Sequence, residues 1–202
     1  MSMRIIGGRF GGRRIKVIES QGLRPATGRV REALFSMLAA RGALAPGARV
    51  LDLFAGAGSV GIEALSRGAS QALFVEKHPA VARVLRENLR GLGLAPDEAK
   101  VVEADVARAL PRLAGQTFDL VAIDPPYGLG LLPPTLAGLV ANGLLAPGGV
   151  IVAEIEAGAD LPDTAVPDTL ECLTDRLYGQ TRIILWTPIL PASPSTPEPS
   201  TP

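Results

Sequence analysis

Asp124-Pro125-Pro126-Tyr127 places an acid, two rigid imino acids and an aromatic ring directly after the apolar run Phe118-Asp119-Leu120-Val121-Ala122-Ile123. Consecutive prolines restrict the backbone and remove two N–H donors, so carbonyls beside them are free to meet a ligand. The chemistry this suits is the capture of a conjugated amine. An exocyclic amino group on a nucleobase is a poor nucleophile because its lone pair is delocalised into the ring. The Asp124 carboxylate and the Pro125 carbonyl could accept its two N–H bonds and draw the nitrogen toward tetrahedral geometry, while Tyr127 stacks on a base turned out of its helix or loop. Asp124 either receives the released proton or only orients the amine. Taken alone, the motif is also compatible with an ordinary proline turn closing a strand.

The second stretch is Val50-Leu51-Asp52-Leu53-Phe54-Ala55-Gly56-Ala57-Gly58-Ser59-Val60-Gly61, an apolar run entering a glycine turn. Gly56, Gly58 and Gly61 follow the G-x-G-x-x-G spacing, and Glu76 ends the next apolar run 20 residues past Gly56. A side chain at such a turn would block backbone approach to a ligand, and the acid suits ribose hydroxyls. A nicotinamide dinucleotide and S-adenosylmethionine both fit this much. Asp52 separates them, because a carboxylate near the loop would repel a pyrophosphate but favours the ammonium and sulfonium of the methyl donor. Asp105, after the run Val101-Val102-Glu103-Ala104, could meet an adenine amino group with Val106 against the ring; an Asp capping a helix from Val106 reads equally well.

These residues need a frame that brings them to one edge. Apolar strands at 49–54, 71–76, 100–104, 118–123 and 149–155 alternate with amphipathic helices near 59–67, 79–92, 106–113 and 132–144. Such alternation implies right-handed crossovers and a mostly parallel sheet covered on both faces, an open α/β fold with ligands at the carboxyl edge. Leu170–Leu173 and Thr181–Trp186 then read as two closing strands pairing antiparallel at the sheet edge, giving seven in all. Arg4–Ile18 reads as a glycine-rich hairpin or arm, and Thr27 as the cap of a helix ending near Gly42. Residues 188–202, proline-rich among Ser, Thr and Glu, are expected to be a disordered tail.

Charge is unevenly spread although the formal net charge is zero. Residues 1–41 carry nine basic and two acidic side chains, and eight of the nine cations are arginine, the residue best shaped for bidentate phosphate contact. An N-terminal nucleic-acid-binding extension (1–41), a catalytic domain (42–187) and the tail are the expected divisions. Arg29 and Arg31 in a first helical turn oppose the helix dipole and are expected to face an anion. No apolar run reaches the roughly 18 to 20 residues of a membrane span, and the amino terminus has no secretory apolar core. A soluble cytoplasmic protein that does not engage a membrane is therefore expected. The single cysteine, Cys172, fits a reduced, buried thiol, and no metal site is expected.

With these pieces in place, the chain resembles the class I methyltransferases, and more narrowly the RsmD family of ribosomal RNA guanine-N2 methyltransferases. The resemblance runs through Arg4-Ile5-Ile6-Gly7-Gly8, Leu23-Arg24-Pro25-Ala26-Thr27, Arg29-Val30-Arg31-Glu32-Ala33-Leu34-Phe35, the glycine loop, Gly61-Ile62-Glu63-Ala64-Leu65-Ser66-Arg67-Gly68-Ala69, Asp124-Pro125-Pro126-Tyr127 and Tyr178-Gly179. It implies a Rossmann-like fold and methylation at N2 of one guanine in small-subunit (16S) ribosomal RNA, by a monomer acting on an assembling particle. By position it implies Asp124, Pro125, Pro126 and Tyr127 at the base. Asp52, Phe54, Gly56, Gly58, Glu76, Lys77, Asp105 and Val106 fall at S-adenosylmethionine, and Arg4, Arg9, Arg13, Arg14, Arg24, Thr27, Arg29 and Arg31 at the RNA. Where the family loop commonly reads Arg-Pro-Thr-Thr-Asp, Ala26 and Gly28 stand here for the first Thr and the Asp.

Three rival functions share parts of this pattern. A DNA adenine-N6 methyltransferase shares the proline motif but usually needs a target-recognition domain, for which there is little room. A nicotinamide oxidoreductase shares the glycine loop, and a non-catalytic RNA-binding assembly factor would share the fold without turnover. His78 reads as a surface residue bordering the cofactor pocket, Glu154 and Glu156 as edge or loop acids, and Trp186 and Phe35 as packing residues.

Overall fold

A computed structural model describes residues 1–18 and 28–190, with the backbone alone at Arg29. Arg24, Thr27 and the segment 191–202 lie outside the described residues, as does the Arg29 side chain. Strands β1 (Ser2–Arg4) and β2 (Arg14–Lys16) pair antiparallel, with Met3 opposite Ile15, and a 3-10 turn at Gly8–Phe10 lies between them. Helix α1 (Gly28–Ala40) then leads into a strand-helix series. It comprises β3 (Arg49–Leu53), α2 (Ser59–Ser66), β4 (Gln71–Glu76), α3 (Pro79–Leu92), β5 (Ala99–Glu103), α4 (Val106–Ala109), β6 (Phe118–Ile123), α5 (Leu132–Ala141) and β7 (Leu145–Glu156). Strands β8 (Leu170–Tyr178) and β9 (Thr181–Pro188) complete the sheet.

The seven-stranded sheet has the order β5-β4-β3-β6-β7-β9-β8. β3 to β7 are parallel, and β9 pairs antiparallel with both β7 and β8, as the two closing strands were expected to do. The chain moves outward from β3 to β5 and returns to β6 on the other side of β3. The carboxyl ends of β3 and β6 therefore flank the switch point where open α/β sheets bind ligands.

Periodicity accounts for the helices. In α3, Pro79 stands in the first turn, Ala82, Leu85, Leu89 and Leu92 recur on one buried face, and Gly93 ends the helix with φ 76°. The 106–113 segment is α-helical only to Ala109 and continues as a 3-10 turn from Leu110, where Pro111 removes a donor. β7 starts earlier than expected, at Leu145, and α5 stops at Ala141 ahead of Gly143, whose φ is 62°.

Two apolar layers hold the sheet. One joins α1, α2, α3 and the hairpin to it through Ile5, Phe10, Ile15, Phe35, Val50, Phe74 and Val152, and the other packs α4 and α5 on the opposite face. The basic hairpin and α1 thus share a core with the α/β domain. Trp186 and Phe35 are buried, as expected. Cys172 departs from expectation: it is exposed rather than buried. It sits on β8, the outermost strand, which is flanked by the sheet on one side only, and the pairing register shifts between Cys172 and Thr174.

Candidate active site

The glycine loop begins with strain. Phe54, the first residue beyond β3, has φ 58° and is the non-glycine residue with positive φ among those described. Such a conformation costs roughly 1–2 kcal/mol and persists where the surroundings fix it. The three glycines serve different ends. A Cβ on Gly58 would stand 2.4 Å from Leu85 Cδ1, and one on Gly61 would stand 2.3 Å from Phe74 Cε1. Gly61 is therefore needed for close packing of α2 on the sheet, and Gly58 for the close approach of the loop to α3. A Cβ on Gly56 would meet nothing closer than the Phe54 carbonyl at 3.9 Å. That open side is where a ligand could approach the loop.

Two acids tie the loop down. Asp52 is 2% exposed, and its Oδ2 accepts a 2.8 Å bond from the Gly61 amide in the first turn of α2. Burial raises its pKa to about 7, the Gly61 amide opposes this, and Glu76 raises it further. Glu76 accepts from the Gly56 amide at 3.0 Å through Oε2 and from the His78 amide at 2.8 Å through Oε1. A carboxylate has about four acceptor positions, so both oxygens retain capacity. Asp105 is exposed and caps α4, its Oδ1 accepting from the Ala107 amide at 2.9 Å, with Val106 buried beside it. Lys77 and His78 are exposed at the start of the β4–α3 turn.

Asp124 follows β6, its amide donating to the Leu53 carbonyl at 3.4 Å, so the proline motif is anchored to the strand that carries Asp52. Pro125 is buried, while Pro126 and Tyr127 are partly exposed. A shallow groove opens here, lined by Pro125, Tyr127, Leu131, Ile155, Glu156 and Leu161. A larger cleft, between Arg49, Gln71, Lys100 and Gln116, lies at the opposite end of the same strands. It is remote from every candidate acid. Burial, then Glu154, then Asp52 hold the Asp124 carboxyl well above the usual carboxylate range. Burial raises Tyr127 as well; a hydrogen bond with Thr181 opposes this, and Glu154, Asp124 and Glu156 add to it.

A glycine loop and a proline motif meeting at the switch point of this sheet invite comparison with known proteins. The family model described as "Conserved hypothetical protein 95" matches residues 3–187. The chain is 40% identical over 178 residues to ribosomal RNA small subunit methyltransferase D of Escherichia coli, covering 88% of this chain and 86% of that one. It is 37% identical over 178 residues to the protein of the same name from Haemophilus influenzae, with 88% and 89% covered. The chain belongs to the RsmD family of methyltransferases. The solved structure described as "Putative methyltransferase yhhF from Escherichia coli" superposes with a TM-score of 0.81 at 38% identity, covering 93% of this chain and 98% of that chain. The fold is the class I methyltransferase fold.

Within this RsmD-family chain the expected basic contacts divide. Arg4 and Arg14 are exposed on the hairpin, Arg14 donating to Ser2 Oγ at 2.8 Å, and neither makes an ion pair among the described residues. Arg9 pairs with Glu98 at 2.6 Å. Arg13 donates to the Gly91 and Leu92 carbonyls at 2.6 and 3.4 Å, satisfying the carboxyl end of α3. Arg31 does not face outward: it is 7% exposed, its Nη2 donates to the Arg4 carbonyl at 3.2 Å, and Glu63 and Glu154 supply its field. A cation in the first turn of a helix does meet anions here, but they are the protein's own.

Four contributors escaped the sequence reading. Arg83 and Arg90 on α3 are exposed, and both act electrostatically on Glu87, the ion-pair partner of Lys16 on the hairpin. Asn88 is buried among the hairpin, α3 and the glycine loop, and Glu154 is a buried acid of the site rather than an edge acid. A signal for Glu154 was present: Val150, Val152 and Glu154 alternate onto the same face of an apolar strand.

Proposed function

We propose that the chain transfers a methyl group from S-adenosylmethionine to the exocyclic N2 amine of a guanine in small-subunit ribosomal RNA. The observation that carries this reading is the juxtaposition of Asp124-Pro125-Pro126-Tyr127 with the strained glycine loop at the carboxyl ends of β6 and β3. The printed names of the relatives, ribosomal RNA small subunit methyltransferase D, support the substrate class.

The residues present fit the methyl donor. The open side of Gly56 admits a ligand against the backbone, Glu76 keeps acceptor capacity for ribose hydroxyls, and Glu76, joined by Asp52 above its pKa of about 7, makes the floor anionic, which favours a cation and disfavours a pyrophosphate. The bound donor supplies a methyl carbon on a positively charged sulfur. Asp124 and the Pro125 carbonyl accept the two amine N–H bonds, orient the nitrogen lone pair and exclude water, with alignment as the main source of rate. Tyr127, partly exposed at the groove rim, offers a stacking face to an extruded base. Arg4 and Arg14, with Arg83 and Arg90, offer phosphate contacts. An RNA substrate of this kind puts the reaction in the cytoplasm.

The test uses purified full-length protein with both naked 16S RNA and isolated small-subunit particles. Methyl incorporation into a single guanine, mapped by mass spectrometry, is expected. The Asp124→Ala variant should lose transfer while S-adenosylhomocysteine still raises its Tm as in the parent protein. Stabilisation by NAD without stabilisation by S-adenosylhomocysteine, or normal turnover in Asp124→Ala, would overturn the assignment.

A further inference from the structure

Asp124 has a neighbouring acid. β6 and β7 run parallel with Ile123 opposite Ala153, so the next residues, Asp124 and Glu154, fall side by side. Ile123 and Ala153 point into the layer beneath α4 and α5, and alternation turns Asp124 and Glu154 to the face packed by α1 and α2. Arg31 of α1 is buried on that same face, with its Nε unpartnered among the described residues. A guanidinium this deep needs counter-charge nearby, and Glu154 is one of the two carboxylates that provide it. The other, Glu63 on α2, is committed to the Ile6 and Gly7 amides at 2.8 and 2.9 Å and to Arg67 at 2.8 Å.

We propose that Asp124 and Glu154 act as one proton-accepting pair whose counter-charge is Arg31, with Glu154 and Arg31 as positioning residues behind Asp124. The pairing rests on the methyl-transfer reading above and adds to it the destination of the proton. As the N–C bond forms and the donor's C–S bond breaks, the bonding electrons leave with sulfur and the amine nitrogen becomes cationic. It must then release one proton. Two adjacent carboxyls, Glu154 buried and Asp124 half-buried, do not both ionise readily, so the pair as proposed holds one proton and one negative charge. The amine's N–H donors at Asp124 draw the charge to that oxygen and leave the resident proton on Glu154. Accepting the released proton makes the pair neutral, and loss of one proton to water resets it.

The other charged groups on this face are consistent with a shared charge. Asp52 comes from β3, Glu63 from α2, Tyr127 from the turn after β6 and Glu156 from the end of β7, with Arg31 from α1 as the cation acting on the pair. Burial raises Glu154, and Arg31 opposes the rise.

The experiment measures the pH dependence of methyl incorporation into isolated small-subunit particles for the parent protein, Glu154→Gln and Arg31→Met. In parallel, the side-chain carboxyls are titrated by ¹³C NMR on the full chain without RNA. The parent's rising limb reports the first proton lost from the pair, when neither carboxyl has a charged neighbour, so Glu154→Gln should leave it in place or raise it, whereas the Asp124 resonance, freed of a negative neighbour, should move down by about one pH unit or more. Removing the cation should move both upward in Arg31→Met. Opposite shifts are not expected of two merely structural residues. If the parent is active and the Asp124 resonance stays in place in Glu154→Gln, the pair is refuted while the methyltransferase reading stands. If the parent methylates no RNA, the NMR titration still decides, since an Asp124 resonance unmoved by Glu154→Gln refutes the pair. That titration also covers the case in which Arg31→Met does not fold.

Discussion

Replacing Gly61 by alanine separates helix propensity from packing, because the two effects have opposite signs. Gly61 lies inside α2, where alanine is favoured over glycine by about 1 kcal/mol. Its added Cβ, however, would stand 2.3 and 2.8 Å from Phe74 Cε1 and Cζ and 3.1 Å from Asp52 Oδ2. Phe74 is fully buried and its ring has no room to withdraw. Overpacking of this kind costs about 1–3 kcal/mol. Above the Asp52 pKa of about 7, where the assay is run, displacing its carboxylate from the Gly61 amide loses a charge-assisted hydrogen bond of about 1.5–3 kcal/mol. The expected net result is a destabilisation of about 2–5 kcal/mol despite the better helix former. Gly56→Ala is the control, since its left-handed backbone costs only about 1–2 kcal/mol and the new methyl points into open space. In urea titrations with and without S-adenosylhomocysteine, Gly61→Ala should lose most of its stability with ligand absent. Gly56→Ala should keep most of its stability and lose the increment the ligand adds. A Gly61→Ala protein as stable as the parent would refute the packing assignment; a Gly56→Ala protein that still gains full stabilisation would refute the ligand-facing role of that glycine.

Two further outcomes follow from the electrostatics. Asp52 has its folded pKa raised from 3.8 to about 7, so between those values the native state holds a proton that the unfolded chain has lost. Stability must therefore fall as pH rises through that window, by up to about 1.4 kcal/mol per pH unit, and Asp52→Asn should flatten the slope seen in urea midpoints from pH 4 to pH 7; an unchanged slope rules out Asp52 as its source. Replacing Arg4 and Arg14 together by alanine should weaken RNA binding and reduce the log–log salt slope by roughly 0.7 to 0.9 for each phosphate left without its cation; an unchanged slope removes both from the RNA interface.

The sheet was legible because each apolar run and each 3.6-periodic stretch is a local pattern, and their alternation leaves few topologies open. The acids near strand ends were legible for the same reason: Asp52 stands one residue before the end of its strand, Glu76 ends one and Asp124 follows one, and topology alone carries them to one edge. What local pattern could not supply was the partner of each charge. Arg31 read as outward-facing because its nearest sequence neighbours offer no buried anion, whereas its actual counter-charges come from α2 and β7, 32 and 123 residues away. Glu154 read as an edge acid because a lone carboxylate in an apolar strand is informative only once the neighbouring strand is known. Cys172 read as buried from its apolar neighbours, and only the position of β8 at the sheet's edge exposes it.

The same long-range pairing explains why the basic hairpin is part of the catalytic body. Gly8 passes so close to α2 that a Cβ would stand 1.8 Å from the Ser66 carbonyl, and Ser66 Oγ both accepts from the Phe10 amide and donates to the Gly7 carbonyl. Asn88 completes the connection. Its Oδ1 accepts from the Lys16 amide at 2.8 Å, and its Nδ2 donates to the Lys16 carbonyl at 2.9 Å and to the Ala57 carbonyl at 3.1 Å. One buried amide thus holds the second hairpin strand and the glycine loop together, and a buried polar group whose bonds are all made resists displacement because each broken bond leaves an unsatisfied partner. Arg31 makes a parallel connection on the other side, with its Nη2 on the Arg4 carbonyl and its charge beside Glu154. On the proposed reading, a phosphate drawn to Arg4 or Arg14 would be held by backbone that is hydrogen-bonded through Asn88 to the glycine loop and directly to Arg31, the cation beside Glu154. On that reading this arrangement would give the proposed RNA-facing surface and amine pocket a fixed register, which a flexibly tethered arm of the same charge could not supply.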